Sequence, residues 1–271
     1  MVVYCPSYSD LNQEIGPCSV PRVKACTRLR TVVFHRANPN GAVRHHPKGP
    51  RRQFVANPGR SRIPSETIAL VDRLLLEKLS LAGIACAAGV SPRWLHYYVN
   101  KTYAAVPRAV AVHPKKGRLT LECDEVWSFV KTKKAQHWIW LAVDRDTREI
   151  VGVAIGPRDQ ATVQELWESL PPLYRQCAVA YTDFWAAYGA VLPAKRHCPS
   201  GKETGGTAHI ERFNNTLRQR LSRLVRKTLS FSKKLANHIG AIWTFIHHSN
   251  ATRSAHTSAT TRHAEGGPVR R

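Results

Sequence analysis

The sequence predicts an α/β domain, a mixed sheet flanked by helices, that follows an all-α module and a basic N-terminal arm. Residues 65–104 place apolar side chains at helical spacing, whereas residues 119–182 form three strand-like runs, a helix and a fourth strand-like run. Helical patterns then continue to residue 250, and this order is typical of a sheet with helices packed on it. The predicted boundaries are 1–64 (arm), 65–104 (helical module), 105–118 (linker), 119–250 (α/β domain) and 251–271 (flexible tail).

Net charge indicates the class of partner. The 271 residues include 41 Lys and Arg against 18 Asp and Glu, which gives a formal charge of +23. Such a surplus attracts polyanions through counterion release, so nucleic acid is the expected partner. A hydrophobic content of 43% is enough for a sizeable core and excludes a disordered basic tail.

The first residues and the lengths of the apolar runs indicate the expected cellular compartment. The first ten residues, MVVYCPSYSD, lack the basic and apolar regions of a signal peptide, and no apolar run reaches the roughly 20 residues that cross a bilayer. We therefore expect a cytoplasmic protein that is associated with the nucleoid and does not enter a membrane.

The arm, residues 1–64, contains cysteines and histidines that could bind zinc. No CxxC pair is present, although structural zinc sites usually take their ligands in such close pairs. The spacing therefore favours a basic, partly flexible arm without structural zinc, and an intact zinc site stays as the alternative. The six ligand candidates are Cys5, Cys18, Cys26, His35, His45 and His46.

The helical module contains clear start and stop signals. Ser65 is expected to cap the first helix and Ser80 the second, which Gly89 can end in a left-handed conformation. Ser91 followed by Pro92 is typical of a third helix start. This pattern predicts a helix-turn-helix, with an ordinary helical hairpin as the alternative.

In a helix-turn-helix, only the outer face of the second helix reaches base edges. The last predicted helix of the module would take that role. Its candidate DNA-contacting residues are Arg93, His96, Tyr97, Asn100 and Lys101.

Two aspartates stand at chemically suggestive places in the predicted strands. Asp124 lies in the first strand of the domain, and Asp183 directly follows the fourth, an apolar run typical of interior parallel strands. Glu122 shares a face with Asp124, whereas alternation turns Glu125 to the opposite face. The acidic residues at 144 and 146 lie in a predicted hairpin turn, where Asp is common for backbone reasons.

Glu211 is the one acidic residue between Glu203 and Glu265. It lies near the start of a predicted amphipathic helix for which Thr207 is the expected N-cap. A carboxylate in this basic stretch could support a neighbouring arginine or bind a metal ion beside DNA phosphates. The basic residues expected to contact DNA here are Arg212, Arg218, Arg220, Arg223, Arg226 and Lys227.

A carboxylate on a first strand, a second at the end of a fourth strand and a third on a later helix match the ribonuclease-H-like nucleotidyl transferase core. Carboxylate oxygens suit two Mg²⁺ ions, for which Mn²⁺ can substitute, and such a pair can serve an in-line phosphodiester displacement. The alternative is that Asp124, Asp183 and Glu211 form structural ion pairs.

Three blocks of the sequence resemble the insertion-sequence-one (IS-one) family of DDE transposases. They are DEVWSF, YTDFWAAY and HIERFNNTLRQRLSRLVRKTLSFSKKLANHIGAIWTFIHHSN, within residues 119–250. The resemblance implies a catalytic, metal-binding triad of Asp124, Asp183 and Glu211, with His209 and Asn215 as neighbours in the site. It also implies that the protein binds double-stranded DNA, cleaves at the inverted repeats of its element and joins the 3′ ends to target DNA.

The resemblance is weaker at the N-terminus. Family members usually begin with a zinc ribbon of two CxxC pairs, whereas here Tyr8 stands in one pair and Pro47 and Pro50 in the other, so we predict a degenerate ribbon. Cutting two DNA ends together suggests a homo-oligomer, at least a dimer. Two alternatives stay open from the sequence: a nuclease or resolvase of the same fold that does not join DNA, and a non-catalytic DNA-binding repressor.

Overall fold

The computed structural model describes residues 63–112, 117–224 and 232–265, although at residue 202 and over 256–265 it describes the backbone alone. It also describes the backbone of three short strands further towards the N-terminus. The chain divides into two compact units, Met1–Ile63 and Pro64–Arg271.

The first unit contains a small antiparallel sheet in the order β1-β2-β3. Its strands are β1 (Val32–His35), β2 (Arg44–Pro47) and β3 (Phe54–Val55). We predicted no regular element here, because strands of two to four residues are too short for alternation to be visible. The side chains of all six zinc-ligand candidates, and those of Tyr8, Pro47 and Pro50, lie outside the described residues.

Three helices follow, as the sequence predicted: α1 (Ser65–Leu74), α2 (Leu81–Ala87) and α3 (Pro92–Ala105). The hydroxyl of Ser80 accepts a hydrogen bond from the Gly83 N–H at 3.1 Å, which confirms the cap of α2. Gly89 has φ +64° and so takes the left-handed conformation expected of it.

The start of α3 is also as predicted, but that of α1 is not. Ser91 Oγ accepts from Trp94 N at 3.2 Å, and Pro92 is the first residue of α3. Ser65 is the first residue of α1 and not its N-cap, because Pro64 occupies the cap position.

The rest of the described chain forms a five-stranded mixed sheet with helices on both faces, in the order β6-β5-β4-β7-β8. Strands β4, β5 and β6 are antiparallel, whereas β7 runs parallel to β4 and β8 parallel to β7. The elements are β4 (Thr120–Phe129), β5 (Gln136–Asp144), β6 (Ile150–Gly156), α4 (Gln160–Ser169), α5 (Pro172–Cys177), β7 (Val179–Thr182), α6 (Ala186–Val191), β8 (His197–Pro199), α7 (Ala208–Arg220) and α8 (Leu235–Glu265).

Strand alternation assigns the two faces of β4 to different helices. Leu121 and Cys123 belong to a buried core with Val163 and Leu166 of α4. Glu122 and Asp124, at even positions of β4, accept hydrogen bonds from α7 instead. The carboxylates of interest are therefore placed between the centre of the sheet and α7.

Two features at the C-terminal half differ from the sequence prediction. Strand β8 was not predicted, since three residues carry no recognisable pattern. Helix α8 continues to Glu265, into the stretch from residue 251 that we expected to be a flexible tail. No described helix combines the length and the apolar character needed to cross a membrane.

Candidate active site

Asp124 lies in the middle of β4, and its strongest contact comes from α7. The side-chain amide of Asn214 donates to Asp124 Oδ2 at 2.7 Å. Burial, and next the negative charge of Glu125, raise the pKa of Asp124 to about 6, and the charge of Asp183 acts in the same direction. Asp124 therefore lies in a concentration of negative charge that would favour a bound cation.

Asp183 immediately follows β7, the parallel neighbour of β4. Its Oδ1 atom accepts a hydrogen bond from Trp185 N at 3.0 Å, which fixes the side chain at the turn into α6. The charge of Asp183 reaches both Asp124 and Glu125. The two predicted aspartates thus share one end of the central parallel pair.

Glu211 lies in the first turn of α7 and is exposed to solvent. Its Oε1 atom accepts a hydrogen bond from Thr207 Oγ1 at 2.9 Å. Thr207 occupies the N-cap position as predicted, but its side chain accepts no N–H group of the helix; its hydroxyl donates to Glu211 instead.

The cap of α7 comes from Glu122, which is fully buried on β4. Its Oε2 atom accepts from the backbone N–H groups of His209 at 2.8 Å and Ile210 at 3.0 Å. Its Oε1 atom lies 2.6 Å from His209 Nδ1 and 3.4 Å from Arg145 Nε. Burial raises the pKa of Glu122, while the Ile210 N–H and the charge of Arg145 act against that increase.

Glu125 points to the other face of β4, as alternation predicted. The Arg158 guanidinium pairs with its Oε1 atom at 2.7 Å, and Tyr188 Oη donates to its Oε2 atom at 3.3 Å. Arg158 is itself stacked between the rings of Trp138 and Trp185, at 5.0 and 4.8 Å from their centroids. Glu125 therefore forms a structural ion pair. This is the role that remained the alternative for the three residues of the predicted triad.

Asp144 in the hairpin turn has the backbone role that the sequence predicted. Asp144 Oδ1 accepts from the N–H groups of Asp146 and Thr147, both at 2.9 Å, and so stabilises the turn between β5 and β6.

Asn214 is the residue that the sequence analysis missed. It is buried and lies four positions after Ile210 and three before Leu217, on the apolar seam of α7. We had instead expected Asn214 on a polar face of this helix, with Asn215 and Arg218. Asn215, which the family resemblance suggested for the site, is exposed on α7.

The residues predicted on α3 differ in their surroundings. Arg93, Tyr97 and Lys101 are four residues apart and exposed, Tyr97 at 67%. His96 is also exposed, whereas the Oδ1 atom of Asn100 accepts a hydrogen bond from Asn237 Nδ2 of α8 at 2.7 Å.

The basic residues after Glu211 also have different partners. Arg212 is exposed and Arg218 half-buried. Arg220 pairs with Glu77 and lies over the ring of Phe245, and Arg223 lies 5.4 Å from the ring centroid of Tyr103. Arg226 and Lys227 lie outside the described residues.

The donor atoms of this region are of the kind that bind a hard cation, but their spacing is not that of a formed metal site. Asp124, Asp183 and Glu211 offer carboxylate oxygens, and Asn214 Oδ1 is a buried oxygen with no hydrogen-bond partner among the described residues. Yet no three His, Cys, Asp or Glu side chains in the described ranges are grouped closely enough to hold a metal ion.

Comparison with known proteins finds similarity over the part of the chain that contains this region. The model of the IS1 transposase family matches residues 118–251. The insertion element iso-IS1n protein InsB of Shigella dysenteriae is 41% identical over 128 residues, which are 47% of this chain and 94% of that protein. The insertion element IS1 4 protein InsB of Escherichia coli K12 is 36% identical over 135 residues, 49% of this chain and 78% of the relative. The chain belongs to the IS1 transposase family.

Proposed function

We propose that the protein is a DNA transposase that binds the inverted-repeat ends of its insertion element, cleaves phosphodiester bonds there and joins the 3′ ends to target DNA. The observation that carries this proposal is the match of the IS1 transposase family to residues 118–251, the part of the chain that contains Asp124, Asp183 and Glu211, together with the similarity to InsB proteins. The formal charge of +23 supports a nucleic-acid substrate.

The fold that we propose for the catalytic domain is ribonuclease-H-like. The five-stranded mixed sheet flanked by helices is compatible with it. In support, Asp124 lies on the central strand β4, Asp183 follows the parallel neighbour β7, and Glu211 lies on a later helix.

We propose Asp124, Asp183 and Glu211 as the ligands of two Mg²⁺ ions, with Mn²⁺ as a substitute. When bound, such ions would polarise the attacked phosphate and stabilise the leaving oxygen. The chain's own residues orient these carboxylates: Asn214 holds Asp124, the Trp185 N–H holds Asp183, and Thr207 holds Glu211. His209 and Asn215 remain proposed neighbours of the site.

Recognition of the element ends is assigned to a helix-turn-helix formed by α2 and α3. The exposed stripe of Arg93, Tyr97 and Lys101 is suited to reading base edges in a major groove. Arg212 and Arg218 are suited to phosphate contacts, which position DNA without reading its sequence. The reaction would take place on the chromosome in the cytoplasm, in an assembly of at least two copies, since two element ends must be cut together.

An end-joining assay tests this function against both alternatives. Protein, Mg²⁺ and labelled element ends are incubated with a target plasmid, and products are separated by size. Joined products are expected; cut ends without joined products would indicate a nuclease, and a retarded band without new products would indicate a repressor. The Asp124→Asn, Asp183→Asn and Glu211→Gln variants should lose cutting and joining but keep binding to the ends, because each loses charge and keeps its shape.

A further inference from the structure

Glu122 makes more contacts than a helix cap requires. Two donors, the N–H groups of His209 and Ile210, would satisfy the open first turn of α7. The same carboxylate also takes the His209 ring at 2.6 Å and the Arg145 guanidinium at 3.4 Å. Glu122 comes from β4, two residues before Asp124, so one buried group ties the central strand to the helix that carries Glu211.

Thr207 and Glu122 have different roles at the start of α7. A threonine at the N-cap would ordinarily accept from the first free N–H groups of its own helix. Here its hydroxyl donates to Glu211 at 2.9 Å, while Glu122 accepts those N–H groups. The first turn of α7 is thus capped from β4, and Thr207 orients a predicted catalytic carboxylate.

The contacts of Glu122 indicate that Nδ1 of His209 carries hydrogen. Oε2 accepts two backbone N–H groups and Oε1 faces the Arg145 guanidinium, so both oxygens act as acceptors. His209 Nδ1 is then the donor of the 2.6 Å bond, and this bond fixes the orientation of the ring. The His209 side chain is 19% exposed, so part of the ring is accessible from solvent.

We propose that Glu122 is a positioning residue of the active site, which holds the first turn of α7 and fixes the orientation of the His209 ring through its Nδ1–H. This inference rests on the proposed function. It goes beyond a stabilising cap, because a cap would not need to hold the imidazole ring.

The experiment compares three variants of the full-length protein. Glu122→Gln keeps an oxygen for the helix N–H groups but cannot accept from all four donors. His209→Asn keeps an N–H near the place of Nδ1 and lacks Nε2. Asp159→Ala is the matched control, since Asp159 Oδ1 caps α4 through the Thr162 N–H at 2.9 Å and takes no part in the site.

The first readout is the ring-nitrogen spectrum of protein labelled with ¹⁵N-histidine, in which the His209 signal is assigned by its loss in His209→Asn. We expect an Nδ1–H tautomer for His209 in the parent and in Asp159→Ala, and its loss in Glu122→Gln. An Nε2–H tautomer in the parent, or an unchanged signal in Glu122→Gln, would overturn the proposal.

The second readout is the rate of end joining, measured below the melting temperature of every variant. Glu122→Gln and His209→Asn should each be about 10- to 100-fold slower than the parent, with affinity for the ends within about twofold, as for other residues that orient a reactive group. An equal loss in Asp159→Ala would assign the effect to stability and overturn the proposal, as would a parent-like rate in His209→Asn. A parent that neither cuts nor joins would instead overturn the proposed function, and the spectrum would still decide whether Glu122 fixes the ring.

Discussion

The side-chain amide of Asn214 donates to Asp124 Oδ2 at 2.7 Å and so joins α7 to β4 at the residue predicted to bind metal. The amide is buried, and its own oxygen has no partner among the described residues. Contacts of this kind fix the orientation of a ligand side chain, and their loss typically lowers activity by about 10- to 100-fold.

We therefore expect Asn214→Ala to slow cleavage of element ends by about 10- to 100-fold, while binding of the ends changes little. The matched variant is Asn215→Ala, one residue along the same helix at an exposed position. Cleavage rates and binding affinities of both variants are compared with the parent. A larger loss in Asn215→Ala would show that Asn215, which the family resemblance indicated, is the more important of the two for the reaction.

The sequence was a good guide to the starts of α2 and α3, where the decisive contact is local. Ser80 and Ser91 cap their helices through N–H groups three residues away, so their neighbours alone predicted the caps. Thr207 has the same local pattern, and there the prediction of a side-chain cap was wrong. The reason is Glu122, which accepts the free N–H groups of α7 from 87 and 88 residues away in the chain.

The same distinction holds for the site. Strand and helix positions, together with the family resemblance, led us to predict the carboxylates at 124, 183 and 211 as the site, but not their hydrogen-bond partners, which depend on how α7 lies on the sheet. Asn214 and Asn215 are adjacent and chemically identical, and only the packing of the apolar seam decides which is buried against Asp124.

A second prediction concerns which residues of α3 read DNA. Asn100 is exposed, but its side chain is hydrogen-bonded to Asn237, whereas Arg93 lies on the exposed stripe with Tyr97 and Lys101. Arg93→Ala should reduce discrimination between the element end and random duplex by about 1 to 3 kcal/mol, the size of one lost base contact. Asn100→Ala should affect specificity no more than Asn237→Ala, which breaks the same hydrogen bond from the other side.

Fluorescence anisotropy with both duplexes, over a range of salt concentrations, measures these differences. A loss of specificity in Asn100→Ala that Asn237→Ala does not share would show that Asn100 contacts a base. Full specificity in Arg93→Ala would remove the exposed stripe from the recognition surface.

A third prediction concerns the close approach of α3 and α8 at Gly240. A Cβ atom there would lie 2.7 Å from the backbone oxygen of Tyr103 and 2.9 Å from its Cα, and the backbone of α3 cannot yield as a side chain would. Gly240→Ala should thus destabilise the protein by about 1 to 3 kcal/mol, although alanine favours helices by about 1 kcal/mol.

Gly189 in α6 is the matched control, because a Cβ atom there would meet nothing within 4 Å. Gly189→Ala should leave stability unchanged or raise it by up to about 1 kcal/mol. Urea unfolding of the two variants gives the comparison. A gain in stability for Gly240→Ala would mean that the two helices are further apart than described.

A fourth prediction follows from His238, which is buried between two serines. Its Nε2 atom lies 3.1 Å from Ser128 Oγ and its Nδ1 atom 3.0 Å from Ser232 Oγ. Burial lowers the pKa of His238 to about 4, with smaller contributions from the charges of His137 and Arg223. Between about pH 6.5 and 4, the unfolded chain, with a histidine pKa of about 6.5, binds a proton at this residue and the folded chain does not.

Because the unfolded state binds more protons in this window, the free energy of unfolding must fall as the pH is lowered. The loss approaches about 1.4 kcal/mol per pH unit for one group and about 3 kcal/mol over the window. Urea unfolding at pH 7, 6 and 5 should show a shallower dependence for His238→Gln than for the parent. Equal slopes would exclude His238 as the source.

The last prediction concerns Glu211, whose carboxylate is exposed and held by Thr207. As a structural residue at a helix start it would contribute only about 0.3 to 1 kcal/mol, through its favourable interaction with the helix dipole. As a metal ligand it must instead reach the ion together with two aspartates, so the length of its side chain decides whether activity survives.

Glu211→Asp should keep the melting temperature of the parent and lose most joining activity in Mg²⁺, which demands near-ideal octahedral geometry. It should recover part of that activity in Mn²⁺, while Glu203→Asp, a shortening of the other exposed acid near α7, should leave the ratio of the two activities unchanged. The measurement is joining of labelled ends in each metal beside a thermal melt of the same samples. A Glu211→Asp protein that melts several degrees lower, yet joins ends in Mg²⁺ at the rate of the parent, would show that this carboxylate serves the helix and not the reaction.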